Sequence, residues 1–318
     1  MLIYVTRRVL LIFPTLLILS LIIFGLLRIL PGDVATMILG GGEGGKVSEA
    51  SIRVIQEKLG LNRPLHIQYF DWLWDTMRGD FGTSLYSDQS VGGQLAQRIP
   101  LTLEIAIFAK LVSILVGVPI GIISAIKQNS FIDLSLRFMT IFFLAAPSFW
   151  LGLLVILGGA LWFNWIPPLG YNPIWKDPVA NFQQLIWPII ILSHNGLAVI
   201  ARMTRSSMLE VMREDFIRTA RAKGLAENVV IMRHALKNAL IPVVTLAGLQ
   251  FAALLGGTVI IEYIFGIPGI GSYFIQAIQT KDYPVVQGMV IAFAIVFMLI
   301  NLVVDLLYGW LDPRISYS

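Results

Sequence analysis

The chain has 318 residues, of which 57% are hydrophobic and only 13% charged, and its mean hydropathy is +0.79. Soluble domains carry about 25% charged residues, so this composition excludes a disordered chain, a fibrous protein and most soluble enzymes. Cysteine is absent, which removes disulfides, Cys-ligated zinc, iron–sulfur clusters and thiol nucleophiles, and the net charge of +4 predicts Lys and Arg gathered on the cytoplasmic side of a membrane.

A membrane-crossing helix needs about 20 mostly apolar residues. The first such run is 9–30, preceded by Arg7 and Arg8. It is too long for the core of a secretory signal and no small-x-small cleavage site follows, so it reads as a retained span. Pro14 within it is tolerable where partner helices satisfy the freed carbonyl. Residues 31–100 read as an exterior segment. Pro31-Gly32-Asp33 stops the helix, a glycine tract follows, and Tyr69, Phe70, Trp72 and Trp74 form an aromatic cluster suited to a membrane–water boundary.

Four further clean spans are expected at about 105–126, 138–163, 239–261 and 285–307. A shorter one, 185–203, holds Pro188, Ser193, His194 and Asn195. Polar groups at membrane depth are expensive, which turns that helix towards protein or water. The expected fold is therefore an all-α membrane protein with six transmembrane helices. With the N-terminus inside, the interior connections hold 13 basic residues, and the short exterior loops hold only Lys176 and Lys281. That asymmetry predicts both termini in the cytoplasm.

The longest interior connection, 203–238, holds seven of the 23 basic residues. Met208, Leu209, Met212, Phe216 and Ile217 recur at helical spacing, Gly224 interrupts, and a second helical pattern runs from Glu227. Glycine commonly lies just past a helix end, so the segment reads as helix, sharp turn, helix. Such an amphipathic hairpin suits lipid headgroups or a groove on a cytoplasmic partner. Its mixed charges, Glu210, Glu214, Asp215 and Glu227 among the arginines, favour a protein partner.

These blocks make the sequence resemble the permease subunits of binding-protein-dependent ABC importers, in the dipeptide, oligopeptide and nickel branch. The cytoplasmic signature of that superfamily is Glu-Ala-Ala, three residues, Gly, nine residues, Ile-x-Leu-Pro. Ala220, Gly224 and Leu236 match it, whereas Arg218, Thr219, His234 and Lys237 depart from it. Agreement with the peptide and nickel branch runs through 218–224 and 234–242. It continues in Leu-Pro-Gly-Asp (30–33), Gly-Asp-Phe-Gly (79–82), Asp282-Tyr283-Pro284 and Asp312-Pro313-Arg314.

The resemblance implies that the hairpin is a coupling element seated in a cleft of a separate ATPase subunit. Glu214 and Asp215 would belong to the contact. Arg218, Thr219, Ala220, Arg221, Ala222, Lys223 and Gly224 would form its centre, with His234 in the following block. It also implies a second homologous permease, two cytoplasmic ABC ATPases and an exterior solute-binding protein. Membrane lipid surrounds the complex and no nucleic acid is involved. The chain has no Gly-x-x-x-x-Gly-Lys-Ser/Thr loop, so no cofactor is expected in it, and ATP and magnesium belong to the partner ATPases. The expected localisation is the cell membrane.

Other polar residues are candidates for the pathway or its gate. Lys110 lies inside the second span, where an intramembrane charge is a functional candidate, with pairing or snorkelling as the alternative. Glu104 is six residues away, about 600° around the helix, so the two do not face each other. His194 with Asn195 could touch solute or bridge helices. Glu262 precedes a Gly/Pro-rich stretch that suits a re-entrant turn, as cap, gate or solute contact. Three dispersed histidines exclude a His metal cluster, and no protease constellation is visible. An ion-coupled carrier, which usually shows an inverted repeat, is the alternative of a different class. The cargo class implied by the resemblance is peptides, with nickel chelates, glutathione or oligosaccharides as alternatives.

Overall fold

The structure, a computed structural model, describes residues 2–29, 53 and 62–311. The glycine tract and the closing Asp-Pro-Arg lie outside the described residues. Among the described residues ten helices follow in order: α1 (Leu2–Ile29), α2 (Leu65–Met77), α3 (Val91–Ile126), α4 (Phe131–Ala145), α5 (Ser148–Phe163), α6 (Pro178–Val211), α7 (Asp215–Ala222), α8 (Glu227–Phe265), α9 (Ile270–Thr280) and α10 (Tyr283–Leu311). Among the described residues the β structure is an isolated bridge between Thr83 and Ser90.

Helices α3, α6, α8 and α10 are each long and apolar enough to cross a membrane. Helix α1 adds a shorter apolar stretch at Leu10–Leu26. The expected single helix over 138–163 is instead two helices. Pro147 cannot donate a backbone hydrogen bond, and it pushes Ala146 into an extended conformation with ψ 122°. The axes of α4 and α5 therefore diverge by 99°. Helix α3 starts at Val91, well before the expected span, and its 36 residues extend about 54 Å.

The caps are local and legible. Ser130 accepts the Asp133 N–H at the start of α4. Asp177 accepts the Ala180 N–H at the start of α6, with Pro178 at the first helical position. Gly266, at φ +65°, ends α8 in the left-handed conformation that glycine adopts without strain.

The chain divides into two compact units. One spans Leu2–Ile99 and Tyr273–Leu299. In it α2 packs on α1. The Ser20 and Tyr69 hydroxyls lie 2.8 Å apart, and the Phe24 ring meets Tyr69 edge-on at 5.4 Å. Tyr69 is buried whereas Phe70 and Trp74 stay exposed, so the aromatic cluster divides between packing and surface. Asp282 accepts from the Ser84 hydroxyl at 2.6 Å and the Leu85 N–H at 3.2 Å, pinning the loop after α2 to the start of α10.

The other unit comprises Pro100–Ser272 and the chain from Ile300. Its centre is α6, whose apolar window is 72% buried against 28–39% for the other long helices. Polar side chains are affordable there because they meet protein. Helix α3 approaches α6 closely. A Cβ on Gly121 would stand 2.5 Å from the Ala201 carbonyl oxygen, and one on Gly117 2.9 Å from that of Leu197. Small residues four apart permit this approach, which membrane helices use in place of a hydrophobic drive.

Candidate functional site

Two places gather the residues singled out in the sequence, both within the Pro100–Ser272 unit. The first is the hairpin. Helix α6 ends at Val211, the chain turns at Met212, and Glu214 enters α7 with an extended backbone, φ −68° and ψ 151°. Asp215 in the first turn of α7 and Arg221 in the last both favour the helix dipole. One face of α7 is anchored. Ile217 and Ala220 are buried against Met208 of α6, Val230, Ile231 and Ala235 of α8, and Ala125 of α3.

The other face of α7 is open. Glu214, Asp215, Arg218, Thr219, Arg221, Ala222, Lys223 and Gly224 are all exposed. Phe216, Leu225 and Met232 add exposed apolar surface of 43%, 40% and 58%. Gly224 has φ +79°, which a β-branched side chain resists, and its N–H bonds the Arg221 carbonyl at 2.9 Å. Arg221 reaches across the turn to Glu227 through two hydrogen bonds, Nη2–Oε1 at 2.6 Å and Nε–Oε2 at 3.1 Å. That bond holds the Arg221 guanidinium above its ordinary pKa. Arg218 pairs with Asp215 on the surface at 3.2 Å. A groove lined by Leu209, Glu210, Arg213, Glu214 and Asp215 opens beside the start of α7. His234 lies apart from this face, half-buried in the π-helical turn Val230–Ala235 at the root of α8.

The second place is a cavity of about 360 Å³ that brings together Lys110, His194 and Asn195. Lys110 is 6% exposed, and its ammonium donates to the Gln250 side-chain oxygen at 3.2 Å. His194 Nε2 lies 3.0 Å from the carbonyl of Ala146, whose helical partner is lost at the Pro147 break, and Nδ1 meets the Ile191 carbonyl. The histidine therefore bridges helices and lines the cavity at once. Sequence reasoning missed Gln250. The signal was present, a lone amide within the apolar run of α8.

Glu104 and Lys110 do not pair. Glu104 accepts from the Tyr171 hydroxyl at 2.5 Å and the Asn181 amide at 2.8 Å. Burial and that carboxylate push the Tyr171 phenol above its ordinary pKa. Glu262 lies outside the cavity lining and is completely buried. Its carboxylate accepts from the Thr102 hydroxyl at 2.6 Å and from the N–H groups of Gly271 at 2.7 Å and Ser272 at 3.2 Å. It thus caps α9, and a Cβ on Gly269 would collide with it.

Long apolar helices, a polar cavity among them and an exposed hairpin fit a multi-pass membrane permease. Residues 117–317 match the binding-protein-dependent transport system inner membrane component, and residues 1–106 match the N-terminal part of such membrane components. The chain belongs to this family of inner membrane permeases, which is a transport family and not an enzyme family.

It is 42% identical over 339 residues to the dipeptide transport system permease protein DppB of Alkalihalophilus pseudofirmus, covering all of both chains. It is 38% identical to a putative peptide transport system permease of Brucella suis, with 99% of each covered. It is also 38% identical to the glutathione transport system permease GsiC of Salmonella typhimurium, with both covered fully. Among solved structures, an inward-facing MetNI methionine ABC transporter aligns with TM-score 0.56 at 18% identity, over 69% of this chain and 96% of that one. An amino acid ABC transporter crystallised with histidines aligns at TM-score 0.52 and 17% identity, over 70% and 94%. At these identities the structures speak for the fold.

Proposed function

We propose that this chain forms half of an ATP-driven pathway for the uptake of di- or oligopeptides. A second homologous permease forms the other half, an exterior solute-binding protein delivers the cargo, and two cytosolic ATPases bind ATP and magnesium. The cargo reading rests on the full-length identity to dipeptide and peptide permeases. Glutathione, itself a peptide, is the second cargo, favoured by the equally full-length glutathione permease match. Six spans, α1, α3, the bent α4–α5 pair, α6, α8 and α10, put both termini in the cytosol, as the basic residues of the short loops favour.

The observation that carries the mechanism is α7. It is buried on one side through Ile217 and Ala220, open on the other, and braced by Gly224 and the Arg221–Glu227 pair. A helix so held moves with the roots of α6 and α8, so an ATPase that grips its open face moves those spans. Between the spans, Lys110, His194, Asn195 and Gln250 offer a peptide a charge and amide groups at membrane depth.

The test is ATP-driven uptake of a labelled dipeptide by the complete complex in proteoliposomes. Gly224→Val meets no nearby atom but forces φ +79° on a branched residue, a strain of about 1–2 kcal/mol. The variant should insert and assemble, hydrolyse ATP, and lose most uptake. Normal uptake would count against the coupling role. Uptake by this chain alone on an ion gradient would overturn the importer reading.

A further inference from the structure

Near the turn between α3 and α4, three helices meet on one buried carboxylate. Asp133, fully buried, accepts from Arg205 Nε at 2.9 Å and Nη2 at 2.8 Å. It also accepts from the Ser124 hydroxyl at 2.5 Å and the Asn129 N–H at 3.0 Å. Beside this knot lies a cavity of about 330 Å³ whose polar lining is Ser124, Arg137, Thr140, Arg202, Arg205 and Ser206. Asp133 neutralises Arg205. No carboxylate among the described residues pairs with Arg137 or Arg202, so among those residues nothing acidic compensates the two guanidinium groups at the cavity. Next to Arg137 on α4, Leu134, Phe138 and Ile141 are exposed by 62%, 73% and 58%.

We propose that this cavity binds the phosphate of an anionic phospholipid headgroup from the cytosolic leaflet. Arg137 and Arg202 are the ligands, and the acyl chains lie along Leu134, Phe138 and Ile141. Two guanidinium groups match the geometry and charge of a phosphate, and basic pockets between spans on the cytosolic side are suited to anionic headgroups. The neighbouring apolar surface selects an amphiphile over an acidic protein segment, which would leave that surface uncovered. The inference rests on the proposed orientation of the chain.

The experiment is native mass spectrometry of the complete importer complex released from nanodiscs of phosphatidylglycerol or of phosphatidylcholine. The wild-type complex should retain phosphatidylglycerol and not phosphatidylcholine. Arg137→Gln with Arg202→Gln should lower the retained fraction about tenfold or more. Lys127→Gln, a charge removed at the same end but outside the cavity, should leave it unchanged. The intact mass of the complex shows whether each variant assembles. Equal retention by the wild type and the double variant, or of the two lipids, overturns the proposal. Displacement of the lipid by millimolar inorganic phosphate assigns the site to a free anion and also overturns it. Dipeptide uptake measured on the same preparations separates the two ideas. A wild-type complex that keeps the lipid adduct but shows no ATP-driven uptake would refute the importer reading and leave the lipid site standing.

Discussion

Lys110 and Asp133 are both buried, and they differ in what answers their charge. Lys110 meets an uncharged amide oxygen at 3.2 Å, so its charge remains to be used by something that enters the cavity. Lys110→Met keeps the chain length and removes the charge. Dipeptide uptake by the complete complex should fall about tenfold, the loss of one charge-assisted hydrogen bond. Unchanged uptake would remove Lys110 from the pathway. Asp133 is answered fully by Arg205, Ser124 and Asn129. Asp133→Ala leaves the Arg205 guanidinium unpaired at a site where its side chain is 20% exposed. Breaking a buried pair costs about 3–5 kcal/mol. The variant should melt well below the wild type in detergent. A double variant with Arg205→Met should recover part of that loss, and identical melting of Asp133→Ala and wild type would show that the pair contributes nothing.

Between helices, the close approach of α3 to α6 is set by atoms that are missing. Gly121→Ala adds one carbon at 2.5 Å from a backbone oxygen of α6, and overpacking of this kind costs about 1–3 kcal/mol. Gly256→Ala on α8 adds the same carbon where nothing lies within 4 Å, and should be neutral or stabilising by about 0.5–1 kcal/mol. Thermal unfolding of the two variants should move in opposite directions. Equal shifts would mean that the α3–α6 contact is not tight. The α4–α5 break belongs to the same level of description. Pro147 was visible in the sequence, but intramembrane prolines such as Pro14 and Pro242 leave α1 and α8 unbroken. What distinguishes Pro147 is the His194 ring, which takes up the Ala146 carbonyl and supports the bend.

The whole chain can be tested for orientation without background, because it contains no cysteine. Lys223→Cys on the hairpin and Lys281→Cys before α10 are exposed single sites. In intact cells or right-side-out vesicles, a membrane-impermeant thiol reagent should label Lys281→Cys and spare Lys223→Cys until the membrane is opened. The reverse pattern would invert the topology and withdraw the ATPase contact. The topology also orders the two sites described above. The hairpin follows the C-terminal end of α6, and His194 and Asn195 of the Lys110 cavity lie further back along the same helix, so one continuous element carries both.

Much of this was legible from the residues in order. The apolar stretches within α3, α6, α8 and α10, the Gly224 turn, the open polar face of α7 and the separation of Glu104 from Lys110 depend on hydropathy, helical period and glycine's conformational freedom, which are local properties. The convergence of side chains was not legible. Lys110 finds Gln250 across 140 residues, Thr102 finds Glu262 across 160, and Asp133 finds Arg205 across 72. Whether Glu262 capped a turn or met solute was open in the sequence. Packing placed backbone N–H groups of α9 around its carboxylate. In an apolar interior a buried charge takes whichever polar partner the folded helices bring within hydrogen-bond reach, and pattern along the chain does not encode that distance.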